Sequence, residues 1–340
     1  MGWQDTLRGD SVGWLLEQPQ PALRYMALRD LLDRPPDDPQ LLAARAAAYQ
    51  TGPILKVLDV MQPEGYWVRP GPGYGPKYKS TVWALQLLAQ LGARVDGDPR
   101  VRTACQYYLD HALSEGGHFS YNGSPGGTVD CLQGNMLWAL VTLGCDDPRL
   151  EEAVDWMARS NTGEGVAPKT EKRVLQRYYA YKCGPGFRCG ANNGQPCAWG
   201  AAKIMLAFSA LPPGMRTPLA ERAIAQGVEY FFSVPPETAL WPENATDHPS
   251  RDWWLFSFPV YYITDLLQVA EALARLGCGR DPRMAGLLDF IRAKQDAEGR
   301  WPLEYNYASK TWGNYGRKGE PNPWVTMRAL RVLKIAEEKR

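Results

Sequence analysis

The stretch Lys79-Ser-Thr-Val-Trp83-Ala-Leu85-Gln-Leu87-Leu88-Ala-Gln-Leu91-Gly92 decides the reading of this chain. It recurs as Cys131-Leu-Gln-Gly134-Asn135-Met-Leu137-Trp-Ala-Leu140-Val-Thr-Leu143-Gly144. Both segments are almost continuously apolar and both stop at a glycine, as expected of a helix buried on most of its surface. A few residues further on each is followed by Asp-Pro-Arg, at Asp98-Pro99-Arg100 and Asp147-Pro148-Arg149, and the same pair returns as Leu276-Gly277 with Asp281-Pro282-Arg283. An acidic cap ahead of a proline in the first turn is a helix start. The runs that follow alternate charge with apolar spacing, which predicts helices wet on one face. Each then leads to a glycine, often with an aromatic: Gly117-His118-Phe119, Gly165-Val166, Gly299-Arg300-Trp301 and, near the N-terminus, Gly65-Tyr66-Trp67.

A helix pair repeating every fifty to sixty residues or so fixes architecture before chemistry. Apolar inner helices are expected from Ala22 to Leu32, from Lys79, from Cys131, from Cys197 to Leu211, from Phe258 to Gly277 and from Pro323 to Lys334. The repeats thus begin near residues 22, 79, 131, 197, 258 and 321. Six such pairs predict an all-α fold, an (α/α)6 toroid formed by residues 1–340 as one domain. Closure is expected over an open solenoid, because a concave face of Leu, Trp and Met left in water invites aggregation.

Composition excludes several partners. The 340 residues carry 38 basic and 37 acidic side chains, interspersed, for a formal charge of +1. That leaves no electrostatic footprint for nucleic acid or an anionic membrane surface. There is no apolar run long enough to span a bilayer, and the N-terminal twenty residues carry Asp5, Arg8, Asp10 and Glu17, so a soluble cytoplasmic protein is expected. Seven cysteines, an odd number, then read as reduced thiols. On that reading the glycosylation patterns at Asn122-Gly-Ser124 and Asn244-Ala-Thr246 carry no meaning. Thirteen Trp and seventeen Tyr bring large areas with polar tips, either packing the repeats together or lining a cavity.

The segment Gln295-Asp-Ala-Glu-Gly299-Arg-Trp301, preceded by Leu287-Leu288-Asp-Phe290-Ile291, resembles the repeat of squalene-type triterpene cyclases and of protein prenyltransferase β subunits. The chain as a whole resembles bacterial prenyltransferase-repeat, terpene-cyclase-like proteins, including Trp14-Leu15-Leu16-Glu17 and Arg24-Tyr25 through Leu28-Arg29-Asp30-Leu31-Leu32. The resemblance implies a toroid that takes a small molecule or peptide, and fold alone does not name a reaction. The acidic clusters of the two terpene-cyclisation routes are missing. Asp96-Gly97-Asp98-Pro99 reads as a cap, and Asp37-Asp38 and Asp146-Asp147 run into proline without a third acid.

Cysteine offers another chemistry. Cys131-Leu-Gln-Gly134 and Cys197-Ala-Trp-Gly200 place a thiol in the first turn of two successive inner helices, where the helix dipole favours thiolate. Cys183 and Cys189 precede the second in the Gly-rich run Cys183-Gly-Pro-Gly-Phe-Arg-Cys189-Gly-Ala-Asn-Asn-Gly-Gln-Pro-Cys197. Four thiols near one mouth suit zinc, either with an open position for activating a thiol or water, or closed and structural. Read as packing, Cys131 and Cys197 are small apolar residues, as are Cys105, Cys145 and Cys278. The prenyltransferase resemblance adds Asp130, beside Cys131, as an acidic ligand or catalytic group, without a matching histidine. His118, in the Gly-rich turn, is the one imidazole near a mouth.

Polar groups also interrupt the inner helices: Lys79, Asn135, Lys203, Asp265 and Arg328. Asp265 is the candidate general acid or base, its alternative being an ion pair with an Arg or Lys. Lys79, Trp83, Asn135, Trp199, Tyr262 and Trp324 are the expected ligand-contacting set. The expected function is an enzyme of cyclase, transferase or lyase type acting on an apolar or amphipathic substrate in an aromatic central cavity. The alternatives are a non-catalytic receptacle and a carbohydrate-active (α/α)6 enzyme, the latter requiring paired carboxylates in the cavity.

Overall fold

A computed structural model describes residues 2–166, 182–241 and 248–338. The pattern at Asn244 lies outside them. The described residues are all-α, with thirteen α-helices and four isolated β-bridges. Six helices form the inner ring: α2 (Pro21–Met26, running on as a π-helical turn Ala27–Leu31), α5 (Thr81–Gln90), α7 (Asp130–Leu143), α9 (Ala198–Ala210), α11 (Leu266–Leu273) and α13 (Pro323–Glu337). Each is covered on the outside: α2 by α3 (Pro39–Gln50) with α4 (Pro53–Leu58) beside it, α5 by α6 (Pro99–Ala112), and α7 by α8 (Arg149–Thr162). In the same way α10 (Pro218–Phe231) covers α9 and α12 (Ala285–Ala293) covers α11. The N-terminal α1 (Ser11–Leu16) packs on α13, so the first residues of the chain cover its last inner helix.

Closure is visible in two ways. Residues from all six inner helices line one cavity, and the ends of the chain are sewn together. Arg331 reaches Asp30 at 2.7 Å, Lys334 donates to the Asp30 carbonyl, and Arg8 donates to the Gln295 carbonyl at 2.6 Å. The apolar inner segments become helices buried all round: every residue from Thr81 to Ala89 is buried.

The repeated motifs each have a structural job. Asp98 caps α6 and Asp147 and Asp281 accept from the backbone N–H two residues on, while the Arg of each motif folds back on its own Asp. The same guanidinium also reaches a carboxylate in the preceding repeat: Arg100 to Asp59, Arg149 to Asp110 and Arg283 to Glu229. Arg222–Glu164 makes the corresponding link between α10 and the end of α8. These pairs sit in solvent, where water screens them and each contributes little. In the Gly-aromatic turns the indole N–H ties down an outer-helix carbonyl, Trp67 to Val57 and Trp301 to Ile291, and Trp241 does the same to Phe231 without a glycine ahead of it. The backbone N–H of Trp67, Phe119 and Trp301 then donates to a side chain in the next inner helix, Thr81, Gln133 and Thr326 respectively.

The fifth inner helix starts later than its apolar run suggests. Residues 258–264 are extended or turned, and Asp265 caps α11 by accepting from the Gln268 N–H at 2.9 Å. Pro259 and the run of aromatics Phe258, Tyr261 and Tyr262 carry hydrophobicity without a helical cap, which is why composition alone mistook the segment for helix.

Candidate functional site

The amino-terminal mouth of the ring is built by a close crossing of α7 on α9. A side chain at Gly134 would stand 2.2 Å from the backbone carbon of Lys203, and one at Gly200 would stand 3.0 Å from Asp130 Cβ. The two glycines of the Cys-x-x-Gly pairs therefore let the helix backbones touch, which brings Asp130, Cys131 and Cys197 to one place. The loop ahead of α9 folds back as a narrow hairpin, with Cys189 N–H donating to the Gln195 carbonyl and Cys197 N–H to the Phe187 carbonyl. Cys189 thereby joins the cluster. A pocket of about 230 Å³ is walled by Asp130, Cys131, Cys189 and Cys197, with Trp199 and Tyr262 across from them. Those two rings meet edge to face, 5.6 Å apart. Cys183, fully enclosed, stands behind Asp130 and outside the pocket wall.

The electrostatics of this cluster are unusual. Asp130 is 1 % exposed, and the Cys183 thiol apart, which leans on the carboxylate without the geometry of a full hydrogen bond, its oxygens have no partner among the described residues. Burial, and next the charge on Cys189, push its pKa well above the carboxylate range, with only the Cys183 thiol drawing it down. Burial likewise lifts Cys131 to about 12. The thiolate expected at the helix N-termini is instead Cys189. The Cys197 thiol leans on it, backbone N–H groups of Ala191 and Asn192 point at it, and its pKa falls to about 6. Cys197 accordingly holds its proton. The helix-dipole expectation fails at Cys131 because desolvation outweighs a partial charge of about half a unit, and at Cys197 because its thiol proton is held in the hydrogen bond to Cys189, with burial adding to it.

Zinc fits this donor set in kind, since three thiols and a carboxylate share one wall. Among the described residues no group of three or more His, Cys, Asp or Glu stands in a geometry that would hold a metal ion. His118 does not turn toward the cluster: its ring nitrogens bond the Pro125 carbonyl and the Ser114 hydroxyl, and it stacks on Trp156.

The other expected ligand contacts separate. Trp83 is buried with Tyr78, Tyr261 and Tyr307, their ring centroids 4.4–5.6 Å apart, and Asn135 donates to the Tyr261 carbonyl. This aromatic packing joins the start of α5 to the segments before α11 and α13. Lys79 lies over Trp312, and Trp324 is stacked on Phe258 away from the thiol pocket. Asp265 takes the ion-pair alternative. Arg328 grips it through two nitrogens at 2.8 and 2.9 Å, and Ser257 and the α11 backbone fill its remaining positions. Although burial opposes it, Arg328 keeps its pKa below the usual carboxylate value. A carboxylate so fully engaged has no free lone pair to offer a substrate, so Asp265 caps and pairs instead of exchanging protons.

Sequence reasoning did not single out the opposite mouth. There α2, α5, α7, α9, α11 and α13 enclose a cavity of about 450 Å³ lined with arginines, glutamate and aspartate in addition to Trp138 and Tyr25. The available signal was charge spaced along otherwise apolar helices: Arg29 and Asp30, Glu271 and Arg275, Arg328 and Arg331. Lys203, between the two mouths, is fully buried, donates to Gln268 and has its pKa brought down to about 7 by burial.

Fold and site together define an all-α ring of helix pairs with a thiol-lined pocket at one mouth and an arginine-lined cavity at the other. No protein-family profile matches the chain, and no curated protein matches it. Among solved structures, it is similar to the type II terpene cyclase MstE from Scytonema, with 13% identity, a TM-score of 0.30, and 85% of this chain and 97% of that one covered. A variant of that cyclase, in complex with its substrate geranylgeranyl dihydroxybenzoate, matches at 12% identity and the same TM-score, covering 86% and 97%. So loose a superposition transfers no residue or reaction. No helix among the described residues is long and apolar enough to cross a membrane.

Proposed function

We propose that this protein is a small-molecule enzyme whose reactive centre is the thiol pocket, with zinc held by Asp130, Cys131, Cys189 and Cys197 and an apolar or amphipathic ligand seated against Trp199 and Tyr262. The observation that carries the reading is Asp130. A buried carboxyl with no partner beyond one thiol costs folding energy, and natural proteins rarely leave one so without a counter-charge or ligand. One thiolate on that wall opposes ionisation of the groups beside it, and a soft cation is the species that relieves all four at once.

Cys183 has a different part from that expected of it. Set behind the wall, its thiol positions Asp130 and leaves the pocket face to the other three. Four protein donors fill a tetrahedral shell, so an open position for a ligand requires Asp130, the one oxygen donor, to give way. Zinc there supplies Lewis acidity toward a thiol, water or carbonyl group. Trp199 and Tyr262 orient the ligand by edge and face, while the buried α7–α9 crossing keeps bulk water from the base of the pocket.

Titration of the metal-free protein with cobalt(II) tests this reading. The expected result is one equivalent bound with a thiolate-to-metal charge-transfer band, lost in Cys131→Ser and Cys197→Ser and retained in Cys183→Ser. Cobalt that binds without that band, or fails to bind, contradicts it and leaves the pocket as a non-catalytic receptacle.

A further inference from the structure

The arginine-lined mouth has more positive charge than its own fold consumes. Five guanidiniums, Arg29, Arg94, Arg275, Arg328 and Arg331, line the cavity against two carboxylates, Asp30 and Glu271. Asp265 stands behind Arg328 and accounts for a third, which leaves a surplus of two positive charges.

The pairing shows how thinly the acids are spread. Asp30 serves both Arg29, through two nitrogens, and Arg331 at 2.7 Å. Glu271 serves Arg275 at 3.1 Å and Arg331 only at 3.8 Å, beyond hydrogen-bond reach. Arg331 Nε is buried with no hydrogen-bond partner among the described residues. Arg94 reaches the Thr142 carbonyl at 3.4 Å and Asp96 at 3.6 Å, while Asp96 is itself held by Arg45 at 2.6 Å. Depth is graded as well. The Arg94 and Arg275 side chains are 41% and 30% exposed at the rim, whereas Arg331 and Arg328 are 15% and 8% exposed inside. The remaining wall is apolar, with Trp138, Val141 and Leu206 among its members.

We propose that this cavity is a binding site for a small organic anion, its phosphate or carboxylate groups received by Arg94, Arg275 and Arg331 and its apolar body laid against Trp138. Planar guanidiniums match such oxyanions two nitrogens at a time. A volume of about 450 Å³ suits a molecule of that size. The site stands apart from the thiol pocket and does not depend on metal there.

Isothermal titration of the full chain with phenyl phosphate, isophthalate and inorganic phosphate at constant ionic strength tests the proposal. One equivalent of phenyl phosphate or isophthalate is expected to bind at least about tenfold more tightly than inorganic phosphate, and whichever binds identifies the anion source. The rim variants Arg94→Gln and Arg275→Gln, exposed enough to fold, are each expected to weaken binding about tenfold, the worth of one charge-assisted hydrogen bond. Cys131→Ser is expected to leave it unchanged. Absence of saturable binding by either organic anion, or binding indifferent to both rim variants, overturns the site and leaves the arginines as partners of Asp30, Glu271 and the helix-end carbonyls alone. Failure of cobalt uptake at the other mouth has no bearing on this result.

Discussion

The two mouths of one ring have opposite chemistry. At the amino-terminal ends of the inner helices, two glycines let α7 and α9 touch, and the narrow pocket left there gathers thiols and an orphaned carboxyl. At the other end all six inner helices line a cavity about twice as large, and guanidiniums stand at its rim and inside it. The comparison teaches that the repeat supplies the frame alone. What each mouth can bind is decided by a few positions that break the repeat's apolar rule.

The largest expected effect falls under the arginine mouth. Asp265→Ala strands Arg328 as an unpaired buried charge and is expected to cost about 3–5 kcal/mol, read as a fall in the urea midpoint. The same pair predicts acid sensitivity. Asp265 ionises more readily folded than unfolded, so its contribution is complete above the unfolded carboxylate pKa and is lost as pH falls through the lower folded value. Next comes Gly134→Ala, which forces α7 off Lys203 and is expected to cost about 3 kcal/mol. It should abolish cobalt binding while sparing anion binding, and loss of both would mean the mouths are not independent.

Lys203, between them, sharpens the comparison from the opposite side. Its pKa falls from 10.5 to about 7, so the unfolded chain holds a proton that the native state releases. Stability should therefore rise as pH climbs from about 7 toward 10.5 and be level below that window. Lys203→Met is expected to flatten this slope and raise stability near pH 7 by about 2 kcal/mol, and an unchanged slope would show that Lys203 is not its source. The smallest effect belongs to the outer belt: Arg100→Gln, which loses Asp98 and Asp59, is expected to cost under about 1 kcal/mol and to disturb neither mouth.

Much of the ring was legible because its signals are local. Leu-Gly stops, Asp-Pro starts and buried apolar runs each report on a few neighbouring residues, and they placed the inner helices to within three residues except at α11. There, aromatic loop residues mimicked helical hydrophobicity. The thiol cluster was partly legible, since register alone set Cys131 beside Cys197. The splitting of the four cysteines was not, because it depends on how the Gly-rich loop folds back. Nor was the fate of the aromatics: Trp83 and Trp324 pack the interior while Trp199 and Tyr262 face a pocket, a choice made by helix rotation and not by residue type. The arginine mouth went unread because its charges come from four places far apart in the chain: the turn after α2, the loop after α5, α11 with the turn that follows it, and α13.

In the reading proposed above, Asp130 and its three neighbouring thiols form a metal centre. Elemental analysis of protein purified without an affinity tag tests it most directly. One zinc per chain is expected, falling away in Cys131→Ser and as the buffer is acidified, because protons compete with the metal for the thiols. Zinc at background in the unmutated protein, or at full stoichiometry in Cys131→Ser, would contradict it.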